Sequence, residues 1–405
     1  MVERAKLPLW LLCLAFFLFT CGVAAAPLPA NELVLHRFAL EAPPSPFGWV
    51  NFAALDLGDV NGDGLVEVVV SSPAGAGSDA PDAPLVKAAL PTPAQEQPFR
   101  LEVFQLVAAF AGQAVTLQLA PLGEAGRFPF TVNGLTVADL YPTGPAEIWP
   151  AWLPKVGALE FDGAAFQAKE GWQTWANKPV VAGRYGPRVT SNYLPQLAAG
   201  GSRPGVEAPP RGQEKLLALA YYYSPEVAVG LVTVSRPVKC PTKEKDVAAS
   251  AFFSPQDRFA AADINGDGRD ELLTAWSRFS AQFPPRPFTI TDLWSGAEKG
   301  TLPIQPDEVA VGDVDGDGRP EVILAENQLA ADGWPRQALV KVLRWSGGAL
   351  REVKQFAWPD AWVSDLAVGD ADNNGQDDLA LTLAVHVKGT RDVELRVVFP
   401  YQGLG

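Results

Sequence analysis

The chain has 405 residues, a formal charge of −14 and only 2 His. Hydrophobic residues make up 48% of it and charged residues 19%, which excludes a disordered polymer. The acidic balance excludes a nucleic-acid binder, which needs a basic face for phosphates, and 37 Gly with 37 Pro point to a turn-rich β protein.

Residues 1–25 read as a signal peptide. Arg4 and Lys6 form a short positive region, Leu7 to Val23 is an apolar run, and Val23-Ala24-Ala25 supplies the small residues that place cleavage before Ala26. An uncleaved anchor and a lipoprotein attached at Cys21 are the alternatives. The mature chain, 26–405, is expected to be a single domain with no membrane insertion. Cleavage leaves Cys240 as the one remaining thiol, so an intrachain disulfide is excluded despite export, and other contacts must fasten the loops.

The segment 32–42, ELVLHRFALEA, reads as a strand without a partner nearby. After it, four segments align without gaps. They are Asp59-Val-Asn61-Gly-Asp63-Gly-Leu65-Val-Glu67, Asp263-Ile-Asn265-Gly-Asp267-Gly-Arg269-Asp-Glu271, Asp313-Val-Asp315-Gly-Asp317-Gly-Arg319-Pro-Glu321, and Asp370-Ala-Asp372-Asn-Asn374-Gly-Gln376-Asp-Asp378. Each lies between two apolar runs, which makes the unit strand, acidic loop, strand. Two fainter copies, at Asp139 and near Gly201, fill the long gap between the first and second full motifs. The spacing of the last three copies matches one four-stranded propeller blade. Six blades result, with seven as the alternative because the step from 59 to 139 has room for another. Three strands follow Asp370, and the N-terminal strand would supply the fourth and close the ring. Phe161-Asp-Gly, Trp294-Ser-Gly and Trp345-Ser-Gly recur between alternating runs, as hairpin turns would.

In each acidic loop, positions one, three and five turn side-chain oxygens inward. Position seven (Leu65, Arg269, Arg319, Gln376) offers a backbone carbonyl, and position nine adds a carboxylate. Gly at position six permits the left-handed backbone that wraps the loop. An all-oxygen donor set suits Ca²⁺ rather than Zn²⁺ or copper, giving up to four structural ions. An EF-hand is excluded. Its twelfth position requires Glu, and here stand Val70, Thr274, Leu324 and Leu381. By carboxylate count the 313 loop should bind tightest; the 370 loop, with neutral Asn374 at position five and the shorter Asp378 at position nine, should bind weakest. At 139 the ligands have decayed to Tyr141 and Thr143, and no ion is expected.

These motifs resemble the FG-GAP/VCBS repeat of integrin α chains and many secreted bacterial proteins. The first copy carries the fullest version, with Phe47-Gly48 ahead of the loop and Val70-Ser-Ser-Pro73 where the family has Gly-Ala-Pro. The resemblance implies an all-β propeller with Ca²⁺ in hairpin loops between the first two strands of a blade, and it transfers no ligand.

No catalytic motif is present: no G-x-S-x-G, P-loop, H-E-x-x-H or dinucleotide fingerprint. His36 and His386 sit in strand-like runs. The expected function is therefore a secreted or cell-surface, non-catalytic binding or adhesion module, with an extracellular protein or glycan as partner, either monomeric or docked to a surface. A structural subunit of a surface complex is one alternative. The other is a carbohydrate-active enzyme using a carboxylate pair drawn from Asp56, Asp257, Asp360 and Asp365. Tyr221-Tyr222-Tyr223 and Trp149, Trp152, Trp172, Trp175, Trp334, Trp358 and Trp362 either stack on sugars or pack between sheets, the commoner use of Trp.

Overall fold

The structure is a computed structural model. It describes residues 31–50, 52–73, 86–87, 99–111, 114–122, 127–128, 134–138, 145–148, 150–152, 155–161, 166–175, 180–183, 215–223, 228–236, 242–250, 258–268, 270–276, 278, 286–292 and 298–401. The expected signal peptide, Cys240, Arg269 and the loops at 139 and 201 lie outside them. Among the described residues the one helix is the single turn Pro46–Val50, and no helix is long and apolar enough to cross a membrane.

Among the described residues the strands form six sheets in chain order. The best ordered repeat unit is Glu308–Gly312, Glu321–Leu329, Pro335–Ser346 and Ala349–Pro359, each pairing antiparallel with the next. Burial follows position in the sheet. The second strands Glu67–Pro73 and Glu271–Ala275 are buried at every residue, which explains why they read as continuous apolar runs rather than alternations. The fourth strand, Ala349–Pro359, is mostly exposed and carries the charges. Its turn is Gly347-Gly348, with φ of 62° and 84°. Two successive positive φ values define a type I′ turn, whose twist matches that of the paired strands.

The N-terminal strand Asn31–Ala39 pairs antiparallel with the last strand, Asp392–Tyr401. The last sheet thus takes its fourth strand from the chain start, as counting strands indicates. Three sheets also carry a two-residue strand beyond four: Val86–Lys87, Arg127–Phe128 and Ala151–Trp152. The third sheet differs from the reading of the sequence. Its first strand is Val180–Gly183, paired with Lys215–Tyr223, so the partner comes from well upstream of the faint motif at 201. A decayed loop gives no register, and the long insert hides the pairing.

First strands of neighbouring sheets lie side by side. Ala54–Gly58 runs between Val137–Ala138 and Ala361–Gly369. The series continues through Glu308–Gly312 and Arg258–Ala262 to Val180–Gly183. Their approach is close. A Cβ on Gly312 would fall 2.1 Å from Val368 Cγ1, and one on Gly58 would fall 2.4 Å from Val137 Cγ1, so Gly is required immediately before these loops. The apolar core lies between sheets. One cluster joins Ile323 and Val340 to Leu366 and Leu381, another Leu55 and Val68 to Ala380 and Phe399, and a third Leu273 and Ile290 to Leu324 and Leu350. Polar links cross the same boundaries. Asp365 Oδ2 accepts the Leu55 N–H at 2.9 Å, and Asp56 Oδ2 accepts the Val137 N–H at 2.6 Å. Asn327 exchanges two bonds with the Val363 main chain.

Candidate metal centres

All four acidic loops adopt one conformation because the same side chains hold the same backbone donors. Oδ2 of the first residue accepts the N–H of the sixth: Asp59 from Gly64, Asp263 from Gly268, Asp313 from Gly318 and Asp370 from Gly375, at 2.7–2.9 Å. The third residue accepts from the fifth, through Asn61, Asn265, Asp315 and Asp372. The fifth accepts from the seventh at Asp63, Asp317 and Asn374. Positions four and six take positive φ. Gly holds the fourth position in three loops and Asn373, at 59°, in the last. Asn tolerates that conformation better than other side chains.

Such bonds also occur in plain turns. The ninth residue separates these loops from plain turns. Glu67, Glu271, Glu321 and Asp378 begin the second strands and are at most 1% exposed. Glu67 Oε2 accepts the Val60 N–H at 3.0 Å, and Glu271 Oε2 the Ile264 N–H at 3.2 Å. Burial, then the neighbouring carboxylates of the same loop, push Glu67 to about 7, Glu271 to about 8 and Asp378 to about 7. Glu321 rises to about 7 for the same reasons. Asp378 Oδ1 and Glu321 Oε2 are buried and meet no hydrogen-bond donor among the described residues. A buried carboxylate facing two or three others requires a proton or a cation. Oxygens of Asp313, Asp315 and Asp317 converge within 4.8 Å, as do those of Asp370, Asp372 and Asp378. This donor set fits a hard cation such as Ca²⁺. At position seven, the Leu65 side chain is 38% exposed, consistent with only its carbonyl serving the loop.

Neighbouring loops meet along one rim. Asn373 Oδ1 accepts the Val66 N–H at 2.8 Å, Asp377 Oδ2 the Asp313 N–H at 3.2 Å, and the Asp59 carbonyl the Ala146 N–H at 2.9 Å. The expected site residues other than Arg269, which is outside the described residues, lie in four loops, and three of those loops are mutually linked or linked to the sheet beside them.

Sequence reasoning missed two basic side chains. Arg344, on the third strand of its sheet, donates to Glu321 Oε1 at 2.9 Å, contacts Asp315 and lies 3.8 Å from Asp317. Lys299 stands 3.7 Å from Asp267. The ranking by carboxylate count therefore omits a guanidinium already placed against three of the four acids in the 313 loop. Only strand pairing shows this.

The aromatic and His residues resolve toward packing where they are described. Trp362 is fully buried and Trp358 nearly so. Trp334 stacks on His386 with centroids 4.2 Å apart. His36 Nε2 lies 2.6 Å from Glu102 Oε2. The side chains of Trp149, Trp152, Trp172, Trp175 and Tyr221–Tyr223 fall outside the described ones, as does Asp257.

Residues 313–381, which span the third and fourth full motifs, match the family model described as FG-GAP-like repeat. No curated protein sequence matches the chain. Among solved structures, Sqt1 from Chaetomium thermophilum is 11% identical over 90% of this chain and 99% of that one, with a TM-score of 0.36. Sqt1 of Saccharomyces cerevisiae is 11% identical over 92% and 89%, with a TM-score of 0.34. The exotype rhamnogalacturonan lyase YesX is 12% identical over 82% and 56%, with a TM-score of 0.26.

Proposed function

We propose that the chain is a secreted or cell-surface β-propeller of six blades, fastened by Ca²⁺, that serves as a non-catalytic binding module for an extracellular protein or glycan. The observation that carries the calcium reading is the buried ninth carboxylate of each loop, held among others of like charge. The blade count rests on six sheets, on first strands lying side by side in chain order, and on the last sheet taking its final strand from the chain start. Ca²⁺ then does the work that disulfides do in other exported proteins.

An ion that binds only the folded state stabilises it by mass action. The unfolding midpoint should fall in chelator and recover when Ca²⁺ is restored. An unchanged midpoint in a verified metal-free preparation would sink the reading. The binding role is tested by capture of purified glycans or surface proteins in Ca²⁺.

A carboxylate-pair enzyme is the second reading, and one observation favours it. Asp56 and Asp365 line one cavity, and burial raises them to about 7 and about 6. Both oxygens of each, however, accept backbone N–H groups, which is how an anchoring carboxylate is used. Glycan cleavage abolished by Asp365→Asn would reverse the order of the two readings.

A further inference from the structure

The loop at 370 has the weakest donor set of the four, yet it stands between two others. It belongs to the sheet that the N-terminal strand completes, and it is bonded on one side to the 313 loop and on the other to the 59 loop. Its ninth residue, Asp378, is fully buried, and Oδ1 of that residue meets no hydrogen-bond donor among the described residues. Even this loop therefore holds a group that needs a proton or a cation.

Both bonds start or end at residues enclosed by expected ligands. Asp377 lies between positions seven and nine of its loop, Gln376 and Asp378. Its Oδ2 accepts the N–H of Asp313, the first ligand of the next loop, at 3.2 Å. Asn373 lies between positions three and five, Asp372 and Asn374. Its Oδ1 accepts the N–H of Val66 at 2.8 Å, and Val66 lies between Leu65 and Glu67, positions seven and nine of the 59 loop. The Gln376 side chain also rests against the 313 loop, where a Cβ added to Gly316 would meet it at 3.7 Å.

Asn373 is the informative departure from the repeat. Its φ is 59°, and Gly holds the same position at 62, 266 and 316. Gly suits that backbone better, but Gly has no side-chain oxygen for Val66. A local cost is borne where a bond to the neighbouring loop is gained.

An ion in the 370 loop ties the segment from both ends and so fixes the backbone of Asn373 and Asp377. Their side chains then hold Val66 and Asp313 among the ligands of the neighbouring loops. A loop whose ligands are already placed loses less conformational freedom when its own ion binds, and such coupling is reciprocal. Repulsion between ions opposes it, but the carboxylates of each loop offset its own ion and salt screens the remainder. We propose that the 370 loop couples the 313 and 59 loops, so that Ca²⁺ binds the three cooperatively, with Asp377 and Asn373 as the positioning residues that transmit the coupling. This coupling rests on the calcium reading above.

The test titrates the metal-free full chain with Ca²⁺ in 1 M KCl, where the Debye length is about 3 Å. Calorimetry reads the midpoint, and emission spectrometry counts the bound ions. Asp378→Asn should remove the ion of the 370 loop and move the midpoint for the remaining ions to Ca²⁺ concentrations at least about fivefold higher. Asp377→Ala and Asn373→Gly leave every ligand in place and should each move the midpoint the same way. Asp377→Asn and Asn373→Asp keep an acceptor and should restore it. In the Asp378→Asn background, Asp377→Ala should add little, whereas a merely structural bond would act alike in both backgrounds. If Asp378→Asn does not fold, the changes at 377 and 373 carry the test. A midpoint unmoved by Asp378→Asn overturns the coupling, as does an equal effect of Asp377→Ala in both backgrounds. So does Asp377→Asn binding as weakly as Asp377→Ala. Asn373→Gly binding as tightly as the parent or tighter also overturns it, because a loop acting alone gains from the Gly of its counterparts. These outcomes leave the calcium reading standing, and a chain that binds no Ca²⁺ removes both.

Discussion

Arg344 Nε donates to Oε1 of Glu321 at 2.9 Å, from a strand that lies outside the loop Glu321 completes. The same guanidinium contacts Asp315, so in this loop a side chain stands in contact with the acids that an ion would need. Ca²⁺ binding at 313 must therefore displace Arg344 or share its ligands. Arg344→Gln should raise the affinity of this loop about tenfold, the size of one charge-assisted hydrogen bond that no longer has to be given up. Calorimetric titration with Ca²⁺ reads this directly. The same variant should be less stable than the parent in chelator, where Asp315, Asp317 and Glu321 lose their internal counter-charge. A lower Ca²⁺ affinity would show that Arg344 supports the ion instead.

The ninth residue gives a second prediction with opposite signs in two conditions. Glu271 is 1% exposed, and burial with Asp267 and Asp263 nearby raises it to about 8. In chelator near pH 7, folding forces a proton onto Glu271, whose ordinary value is 4.5, and Glu271→Gln removes that cost, so the variant should equal or exceed the parent in stability. In Ca²⁺ it removes a ligand, and the bound-metal count should drop by one loop. The stabilisation that loop supplies, about 2.7 kcal/mol when free Ca²⁺ is a hundredfold above its dissociation constant, should vanish. Paired thermal scans with and without chelator check both halves.

The acidic loops were legible in the sequence because every residue in them has a local task. Asp59, Asn61 and Asp63 hold backbone donors only a few residues away, so spacing alone conveys the conformation. The place of the strand at Asn31–Ala39 followed from counting, since a sheet one strand short and a strand without a sheet answer each other. Long-range partners were not legible. Arg344 reaches Glu321 only because two strands pair in register, and Val180–Gly183 finds Lys215–Tyr223 across an insert that no local rule spans. The cavity lay between these cases. A charge five residues before the first Asp of a loop was visible at Arg258, Glu308 and Asp365, and their convergence was not.

Gly312 tests how closely the first strands approach. A methyl group there would sit 2.1 Å from Val368 Cγ1 and 2.8 Å from its Cβ, on the neighbouring sheet. Gly312→Ala forces the two sheets apart or the Val off its rotamer and should cost about 1–3 kcal/mol, the range for overpacking. Gly300 is the control. It too lies in a strand, but its nearest neighbour would be 3.9 Å away, so Gly300→Ala should be neutral or slightly stabilising through lower chain entropy. Urea midpoints at equal slope separate the two. Equal effects would mean that the first strands have room to move.

The cavity carboxylates set a pH dependence that metal binding does not confound, provided it is read in chelator by difference from a variant. Burial, opposed in part by backbone N–H bonds, raises Asp56 from 3.8 to about 7. In Asp365 the same effect reaches about 6. A carboxyl whose folded value lies above its unfolded value binds its proton more tightly in the folded state. The folded state is therefore favoured at low pH, and stability drains away as pH rises from the unfolded value toward the folded one. For Asp56 the loss runs from about 4 to about 7 and is complete above that. Asp56→Asn cannot ionise. It gives up one acceptor for a backbone N–H, so it should be weaker than the parent near pH 4, by about 1–3 kcal/mol. Its stability should then fall less steeply than the parent's up to pH 7, and the two curves should converge or cross. Urea midpoints measured across that interval give the slopes directly. Parallel curves would mean that Asp56 titrates alike in the folded and unfolded chains, and that its place in the cavity costs the protein nothing in charge burial.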